Sequence, residues 1–363
     1  MPSVPLSGVQ TVLAVTKAAT WNTGVALGAL HGLSFLSGDA NRDATVEIDQ
    51  SRGSFFSVDG TPGPVTCAPK YNLNLRYNSG NNKSPSLFQA AFMGTVATGI
   101  GNGTAKTLTY NFSKDTYGIF VTIAKGFKNA TAYAYVQEVP TAQVVGLTIS
   151  GEVGPKPLTM AVECLGSNRL TDDSGTNKIA TFANVTLAET ANPVLFSQLT
   201  FWLRALDTTV LSSSDAVYPS KVTLSMKRTM KGEFTGEYFT TSPSQDLIDQ
   251  PSNYGAPELT LTLEFPKHTD ASWLTKLSAD TRMKLQITAA GGAITGSTDK
   301  LGHKWQFPHM QLTNVNPTDD NGRIKEPLTF RLHGLITAST GMAGITDPVV
   351  WTETGILATS PMA

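Results

Sequence analysis

Three oxygen-bearing side chains near the N-terminus have the type and spacing for metal binding. Asp39, Asn41 and Asp43 alternate as the first ligands of a calcium-binding loop do. Such a loop also requires a glycine at its sixth position and a bidentate glutamate at its twelfth, where this sequence has Ala44 and Gln50. We therefore interpret the stretch as an acidic surface turn, and the sequence leaves open whether it binds an ion.

Other motifs that would carry chemistry are absent or incomplete. The sequence has no HExxH zinc motif, no Walker loop and no GxSxG nucleophile elbow. Gly99, Gly101 and Gly103 precede Thr-Ala-Lys rather than the Gly-Lys-Ser/Thr that binds phosphate, which favours a flexible turn. Of the five histidines, His303 and His309 lie near each other in the sequence, but no carboxylate or thiol at ligand spacing joins them. We therefore predict no catalytic residues, no cofactor and no metal site, and we do not expect an enzyme.

The composition indicates a folded protein without the charge of a nucleic-acid-binding protein. The chain has 363 residues, of which 40% are hydrophobic and 15% charged, and its formal net charge is −1. A near-neutral balance does not supply the basic surface that binds phosphate. The low charged fraction hints that much of the surface is buried against copies of the same chain. No apolar run reaches the length of a membrane span, so we expect no membrane association.

Two smaller features give weaker signals. Cys67 and Cys164 are too few for a disulfide scaffold, so we predict two buried thiols rather than a bridge, in a reducing compartment. The one basic cluster, Lys227–Lys231, lies on an alternating strand. We expect it to face outward or toward a neighbouring subunit.

The elements that must position these residues are mostly β-strands. Short segments with alternating polar and apolar residues recur, separated by turns rich in glycine and proline. Strands are predicted for residues 45–49, 70–77, 107–112, 119–123, 144–150, 157–165, 221–227, 258–265, 284–288 and 327–335. Two short helices are predicted, one capped by Ser84 and stopped by Gly94, and one capped by Thr269 or Asp270.

Four sequence landmarks occur twice in the same order. The pairs are Leu36–Ala40 with Leu211–Ala216, Thr45–Phe55 with Thr223–Phe234, Ala68–Tyr77 with Ala256–Phe265, and Lys156–Leu165 with Glu326–Leu335. The Ala-Pro strands of the third pair lie 188 residues apart (256 − 68), and the Pro-Leu-Thr strands of the fourth lie 170 apart (327 − 157). Insertions in loops explain the drift of these offsets.

The recurring landmarks predict a duplicated domain. We expect a mainly β fold of two tandem sandwich or small-barrel domains, residues 1–180 and 181–363, each with one short flanking helix. The polar stretch Leu170–Lys178 is the predicted connector. Generic similarity among sandwich strands is the alternative explanation.

The order of elements also resembles a known family. The residues that carry the resemblance are the helix SLFQAAFMG, the strand TLTYNF, the run AYAYVQEVPTAQVVGLTISGEVGPKPLTMAVECLG, and in the second half VTLSMKR, APELTLTLEFPK and PLTFRLHGL. Together they resemble the major tail tube proteins of long-tailed (siphovirus-type) bacteriophages, over nearly the whole chain. The resemblance implies domains whose sheets join those of their neighbours into a continuous barrel around a lumen.

The resemblance also implies a function and its partners. Such rings are six-fold and stack into the tube through which DNA leaves the capsid. A duplicated tube domain implies a ring of three chains, or of six if the domains stack along the axis. The implied partners are further copies of the chain, a tape measure protein, a tail terminator, distal tail proteins, and DNA that passes without specific binding. The implied location is the virion tail, with assembly in the host cytoplasm.

Two surface expectations follow from this interpretation. Asn72, Asn74, Thr260 and Thr262 either line the lumen or face outer solvent. The segments Val58–Thr66 and Thr240–Gly255 are predicted to be long loops that reach the next ring.

Two other functional classes remain open on the sequence. One is a different virion component, such as a tail terminator or a decoration protein, which would form single rings rather than tubes. The other is a receptor- or carbohydrate-binding β-sandwich, which would cluster exposed aromatic residues at one end. The tryptophans are scattered along the sequence, which does not favour this second class.

Overall fold

The protein is mainly β, as the sequence predicts. The computed structural model describes residues 7–48, 60–79, 84–129, 132–171, 175–187, 192–233, 247–267, 272–335, 337, 340–342, 344–357 and 359–362. Strands make up 55% of the structure and helices 9%. Among the described residues, no helix is long and apolar enough to span a bilayer.

The strands and helices follow one another in a mostly antiparallel arrangement. The strands are β1 (Ser7–Ala18), β2 (Gly32–Leu33), β3 (Ser37–Ile48), β4 (Gly60–Asn74), β5 (Gly94–Ile100), β6 (Lys106–Phe112), β7 (Phe120–Asn129), β8 (Ala132–Glu152), β9 (Thr159–Gly166), β10 (Leu170–Thr171), β11 (Leu199–Ala205), β12 (Ala216–Val217), β13 (Lys221–Lys227), β14 (Met230–Lys231), β15 (Ser252–Asn253), β16 (Glu258–Phe265), β17 (Arg282–Ala293), β18 (Lys300–Val315), β19 (Thr318–Asp320), β20 (Arg323–Leu332) and β21 (Val350–Gly355). The α-helices are α1 (Ser84–Met93), α2 (Ile179–Phe182) and α3 (Ser272–Ser278).

Every predicted strand overlaps an observed one, and β13 and β16 match their predicted bounds. Several strands were not predicted, among them β1, β11, β18 and β21. In β18, Pro308 and His309 interrupt the alternation, and the pairing register with β17 shifts there. A local irregularity of this kind hides a strand from a search for period-two patterns.

Eight strand segments form one continuous antiparallel sheet, which carries the candidate assembly surface. Their spatial order is β3–β4–β9–β8–β13–β16–β20, followed by the end of β18 together with β19. We call this the eight-strand sheet. It contains strands from both halves of the sequence, joined where β8 pairs with β13.

The eight-strand sheet has one apolar face and one polar face because its strands alternate. In β4, Tyr71 and Leu73 are buried while Asn72 between them is exposed. In β16, Leu259, Leu261 and Leu263 are buried, with half-buried Thr260 and Thr262 between them. The apolar face therefore packs on the core and leaves the polar face accessible.

The remaining long strands cover the apolar face. β1 pairs with β7, which pairs with the first part of β8. In the same way β11 pairs with β17, which pairs with the first part of β18. The long strands β8 and β18 thus belong to two layers. Helix α1 fills the core beside them, with Phe88 and Phe92 fully buried.

The strand pairings of the first half recur in the second half in the same order. β1–β7, β7–β8, β8–β9, β9–β4 and β4–β3 correspond to β11–β17, β17–β18, β18–β20, β20–β16 and β16–β13. Ala142 of β8 pairs with both β7 and β9, as Met310 of β18 pairs with both β17 and β20. The predicted domain boundary at residue 180 stays a prediction.

The pairing registers also coincide, residue by residue. Leu147 pairs with Val162, and Val315 pairs with Leu328, so β8 and β18 differ by 168 residues (315 − 147) and β9 and β20 by 166 (328 − 162). The same differences convert Ala142–Gly166, Gln143–Leu165, Val144–Cys164, Gly146–Glu163 and Ser150–Thr159 into the observed pairs Met310–Leu332, Gln311–Arg331, Leu312–Phe330, Asn314–Thr329 and Thr318–Lys325. The β-bulge between Val144 and Gly146 falls at the same place as the bulge between Leu312 and Asn314.

The register corrects the sequence alignment of the two halves by four residues. Asn72 pairs with Ser37 and Ala161, whereas Glu264 pairs with Lys221 and Pro327. β4 and β16 therefore correspond at a spacing of 192 (264 − 72), not 188. Likewise β9 and β20 correspond at 166 rather than 170. The landmarks of these two pairs lie on strands with matching pairings, but a four-residue slip keeps every side chain on its face and is invisible to alternation.

Two other sequence expectations are wrong. Leu36–Ala40 runs into β3, whereas Leu211–Ala216 forms a turn in which the Ser212 N–H donates to Asp215 Oδ2 at 3.0 Å. This landmark pair therefore does not occupy equivalent places. Within the expected loop Val58–Thr66, residues 60–66 are not a loop but belong to β4. In the other expected loop, residues 240–246 lie outside the described residues.

The two predicted helices are present. α1 ends where predicted, because Gly94 adopts a left-handed conformation with φ +87°. α3 follows β16 as predicted, although its expected caps Thr269 and Asp270 lie outside the described residues. The short α2 was not predicted.

Replacing the glycine that ends α1 should destabilise the fold in two ways. A Cβ at Gly94 would lie 2.8 Å from Ser113 Cβ and 3.0 Å from Thr116 Cγ2. Gly118 is a matched control, since its φ is +78° but a Cβ there meets no atom within 4 Å. Gly118→Ala should cost about 1–2 kcal/mol of unfolding free energy for the left-handed conformation. Gly94→Ala should cost about 1 kcal/mol more than Gly118→Ala, measured by urea unfolding. Equal costs for the two variants would contradict a steric clash at position 94.

Candidate assembly surface

The polar face of the eight-strand sheet consists mainly of hydroxyl and amide side chains. Neighbouring strands are linked across this face by side-chain hydrogen bonds, namely Asn72–Ser37 (2.9 Å), Ser150–Thr159 (2.9 Å), Thr148–Ser225 (3.5 Å) and Thr262–Thr329 (3.4 Å). Two charge pairs also lie here, Lys70–Glu163 at 3.1 Å and Lys325–Glu264 at 3.4 Å. In these two pairs each cation is already matched by a carboxylate, which weakens its attraction for phosphate.

Asn72, Asn74, Thr260 and Thr262 all lie on this polar face, as their alternation with buried neighbours requires. Whether the face lines a lumen stays a prediction.

The two halves of the chain meet in the middle of the sheet. β8 and β13 form seven antiparallel pairs, from Glu152 opposite Lys221 to Gly146 opposite Lys227. Further backbone bonds extend the ladder at both ends, from Arg228 N–H to the Val145 carbonyl at 2.7 Å and from Val153 N–H to the Ser220 carbonyl at 2.8 Å. We call this ladder the internal junction.

The sheet ends in two outer edges. In the part of the chain that the structure describes, β3 pairs with β4 alone, and Asn314–Asp320 pairs with β20 alone. A strand edge without a neighbour presents backbone donors and acceptors that another strand can bind. These two edges are the candidate assembly sites of the molecule.

Charged side chains cap the backbone of the β3 edge. Lys125 Nζ donates to the Gly38 carbonyl at 2.9 Å, and Arg169 Nη1 donates to the Ala40 carbonyl at 3.1 Å. The Ala40 N–H donates to Asp39 Oδ1 at 2.8 Å. Inward-pointing charges of this kind protect an edge from indiscriminate pairing.

Arg228 fastens the second half of the chain to helix α1 of the first half. Its side chain is 3% exposed, and Nε and Nη2 donate to the Phe92 carbonyl at 3.0 and 2.8 Å. Nη2 also donates to the Ser113 carbonyl at 3.0 Å, and the guanidinium lies 4.2 Å from the Phe112 ring centroid. Burial lowers the pKa of Arg228 to about 10, so it stays charged at neutral pH.

The prediction of an outward basic row is therefore wrong for Arg228, although Lys227 and Lys231 are exposed. The guanidinium instead satisfies carbonyls at the end of α1, which a helix leaves without intrahelical partners. Nothing in the local sequence distinguishes it from an exposed arginine, because its partners lie more than a hundred residues away.

Strand β21 forms a second link between the halves, since it pairs with β6 on one side and β18 on the other. Its buried Glu353 accepts hydrogen bonds from Tyr110 Oη at 2.7 Å and from Ser86 Oγ at 2.9 Å. Desolvation, followed by the nearby Glu353 charge, raises the pKa of Tyr110 well above its usual value. A carboxylate from the end of the chain thus joins a strand and a helix of the first half.

His303 lies in the same link and is neutral. The Trp351 Nε1–H donates to His303 Nδ1 at 3.1 Å, so the ring proton is on Nε2, which donates to the Arg76 carbonyl at 2.9 Å. The ring stacks between Tyr77 and Trp305. Desolvation lowers the pKa of His303, which is 1% exposed.

Asp39, Asn41 and Asp43 do not come together into a metal site. Asp39, Asn41 and Asp43 lie in strand β3, so their interpretation as a surface turn is wrong. Their side chains spread along one face of an extended strand and cannot encircle an ion as a loop does. Among the described residues, no group of three or more histidine, cysteine or acidic side chains could hold a metal ion.

The remaining candidates are structural. His309 contacts His333, with ring centroids 5.4 Å apart. Cys67 and Cys164 are free, buried thiols, as predicted. Burial raises the pKa of Cys67 to about 12, which keeps the thiol protonated and unreactive.

Comparison with known families decides the assignment. A family model described as phage tail tube protein matches residues 8–332, which includes all of the eight-strand sheet. The chain belongs to the phage tail tube protein family. No curated protein matches it. In this tail tube family member, the surface to explain is therefore a sheet with two outer edges, rather than a cleft.

Sequence reasoning missed the residues that define these edges and links. β18 and Arg228 were not recognised, and β21 was absent from the predicted strands. A partial signal exists in β18, where Trp305, Phe307, Met310 and Leu312 alternate with polar residues on either side of the irregularity. A search that allows one inserted residue would find this strand.

Removing the Arg228 side chain should weaken the contact between the halves. Arg228→Ala leaves the Phe92 and Ser113 carbonyls without their donor and empties the space beside Phe112. We expect the free energy of unfolding to fall by about 2–4 kcal/mol. Lys227→Ala, one residue away and exposed, is the control and should change it little. Similar losses in the two variants, measured by urea unfolding, would contradict a specific role for Arg228.

His303 should make the protein less stable in acid. Its pKa is lowered in the folded state, so the unfolded state binds the proton more readily. Its contribution is complete above the unfolded pKa, near 6.5, and is lost as the pH falls below it. The free energy of unfolding should therefore drop from pH 7 to pH 5 by more in the wild type than in His303→Gln. Equal drops would show that His303 is not the proton acceptor.

Proposed function

We propose that the protein is a structural subunit of a phage tail tube. Copies join through the outer edges of the eight-strand sheet into rings, the rings stack into a tube, and the DNA leaves the capsid through the lumen. The observation that carries this proposal is a sheet that combines both halves of the chain and ends in two outer edges. Membership of the tail tube family supports it.

The proposal includes a duplicated domain, with copies at residues 1–180 and 181–363. Its support is the recurrence of five strand pairings with the same registers and the same bulge. Since one chain then supplies two ring positions side by side in one sheet, three chains complete a six-fold ring. A ring of six chains would require the two domains to stack along the axis; the pairing of β8 with β13 supports the side-by-side arrangement instead.

The dimensions of such a ring suit a DNA channel. Three copies of the eight-strand sheet would supply 24 strands, which at the usual strand spacing and tilt enclose a barrel about 45–50 Å across between backbones. After side chains are subtracted, the bore is wide enough for a DNA duplex. We place the polar face toward the lumen, where paired charges and hydroxyl groups let DNA slide without specific binding.

The proposed role is structural rather than enzymatic and needs no cofactor. The partners are other copies of the chain and the remaining tail proteins, a tape measure protein, a tail terminator and distal tail proteins. The site of action is the virion tail, after assembly in the host cytoplasm. The loop between β13 and β16, within which residues 240–255 lie, is proposed to contact the next ring.

A single-ring component, such as a tail terminator, is the competing structural role. It would use the same sheet edges within a ring but would not stack.

Electron microscopy of the purified full-length protein tests the proposal. We expect hollow tubes of uniform bore in negative stain, because ring closure satisfies both sheet edges and stacking repeats without limit. Averaged end-on views should contain six similar densities, contributed by three chains. Single rings that never stack would support the terminator role, and a monodisperse monomer at high concentration would contradict both.

A further inference from the structure

We propose that the outer edge of β3 binds the outer edge formed by Asn314–Asp320 in a second copy of this chain, in the register of the internal junction. Ser37 then lies opposite Asp320, Asn41 opposite Asn316 and Asp43 opposite Asn314 of the partner copy. This inference rests on the proposed ring assembly and names the residues through which one copy recognises the next.

The internal junction is the template for this register. β3 and β13 correspond at a spacing of 184 residues (221 − 37), because Ser37 and Lys221 make equivalent pairs with β4 and β16. β8 and β18–β19 correspond at 168. The internal pair Ser225–Thr148 therefore becomes Asn41 opposite Asn316. In the internal junction this pair is in side-chain contact, with 3.5 Å between Thr148 Oγ1 and Ser225 Oγ.

The two edges occupy the ends of one sheet, as a continuing ladder requires. β13 has β16 on one side and β8 on the other, whereas β3 has only β4 among the described residues. The segment Asn314–Asp320 is in the position of Gly146–Glu152, and the described residues place only β20 beside it. Each edge thus offers what the other needs, and one copy cannot bring them together because six strands lie between them.

A groove beside β3 corresponds to a groove beside the internal junction. This correspondence indicates that the same kind of strand edge and turn belongs in both. In the internal junction, the turn at Val153–Gly154 forms one wall of a groove whose other walls include Leu199 and Tyr218–Ser220. The equivalent groove beside β3 is lined by Thr11 and Ser34–Leu36. No turn from a preceding β8-like strand lines this second groove. The equivalent turn, Asn321–Gly322, belongs to the β19–β20 hairpin at the far end of the sheet.

An exposed apolar side chain marks the groove beside β3. Leu36 is 55% exposed there, although its N–H already donates to the Asn72 carbonyl in the ladder with β4. Leu187, which also lines the groove, is 52% exposed. Apolar side chains that flank a free strand edge are a signature of an interface.

The partner's edge is complementary to the caps on β3. Pro317 would lie opposite Ala40, and it has no N–H to offer where the Ala40 carbonyl is already bonded to Arg169. Asp319 would lie opposite Gly38, beside the Lys125 ammonium that caps the Gly38 carbonyl. Lys125 Nζ also lies 3.7 Å from Asp39 Oδ1 of its own copy. Strand addition would replace the Lys125 cap by a backbone bond and bring a second carboxylate, from the partner copy, beside the ammonium.

Disulfide cross-linking in the full-length chain tests this register. Asn41, Asp43, Asn314 and Asn316 are exposed in the single chain, so cysteines there should leave its fold intact. The in-register pairs are N41C with N316C and D43C with N314C, whose facing Cα atoms suit a disulfide. The same cysteines recombined, N41C with N314C and D43C with N316C, form diagonal pairs that lie too far apart. The native Cys67 and Cys164 are buried and serve in every variant as a constant background.

Oxidation of assembled tubes should shift the monomer band of both in-register variants to covalent oligomers, and reduction should restore it. The diagonal variants should remain predominantly monomeric. If the wild type and the variants form tubes but the in-register pairs do not cross-link, or cross-link no more than the diagonal pairs, the junction is wrong while the tube assignment stands. If the wild-type protein forms neither rings nor tubes, the proposed function itself fails, and no cross-linking result is needed to decide it.

Discussion

Backbone hydrogen bonds between β8 and β13 hold the two halves of the chain in one sheet. They convert two groups of strands, one from each half of the chain, into a single sheet with a polar face and an apolar face. Because a sheet without closure must end in edges, the same ladder that unites the halves leaves β3 and Asn314–Asp320 at its ends. The structural role proposed for the protein follows from how those ends are completed.

The links outside the sheet keep the two halves at a fixed relative position. Arg228 binds the end of α1, and β21 lies between β6 and β18 with Glu353 and His303 buried against residues of the first half. Buried charges and imidazoles are costly unless every polar atom is bonded, and the bonds here run between segments far apart in the sequence. A subunit that forms a ring needs such rigidity, since an error in the angle between the halves is repeated at each junction.

Alternation in the sequence was sufficient to predict the mainly β class and ten strand positions, and capping residues were sufficient to predict both principal helices. Alternation was insufficient for register, because a shift of four residues along a strand exchanges no side chain between faces. It also missed β18, where a bulge and Pro308 break the period, and Arg228, whose partners are distant in sequence. Without a catalytic motif, the sequence suggested an assembly surface rather than an active site. The fold was needed to identify the strand edges of that surface.

A cryo-electron microscopy reconstruction of the tube, at a resolution that traces strands, would show directly how the chains form a ring. We expect one uninterrupted barrel per ring, in which each chain contributes eight adjacent strands and three chains complete the circle with the polar face inside. A ring of six chains whose halves stack along the tube axis, or a barrel whose lumen is lined by the β1–β7 layer, would contradict it.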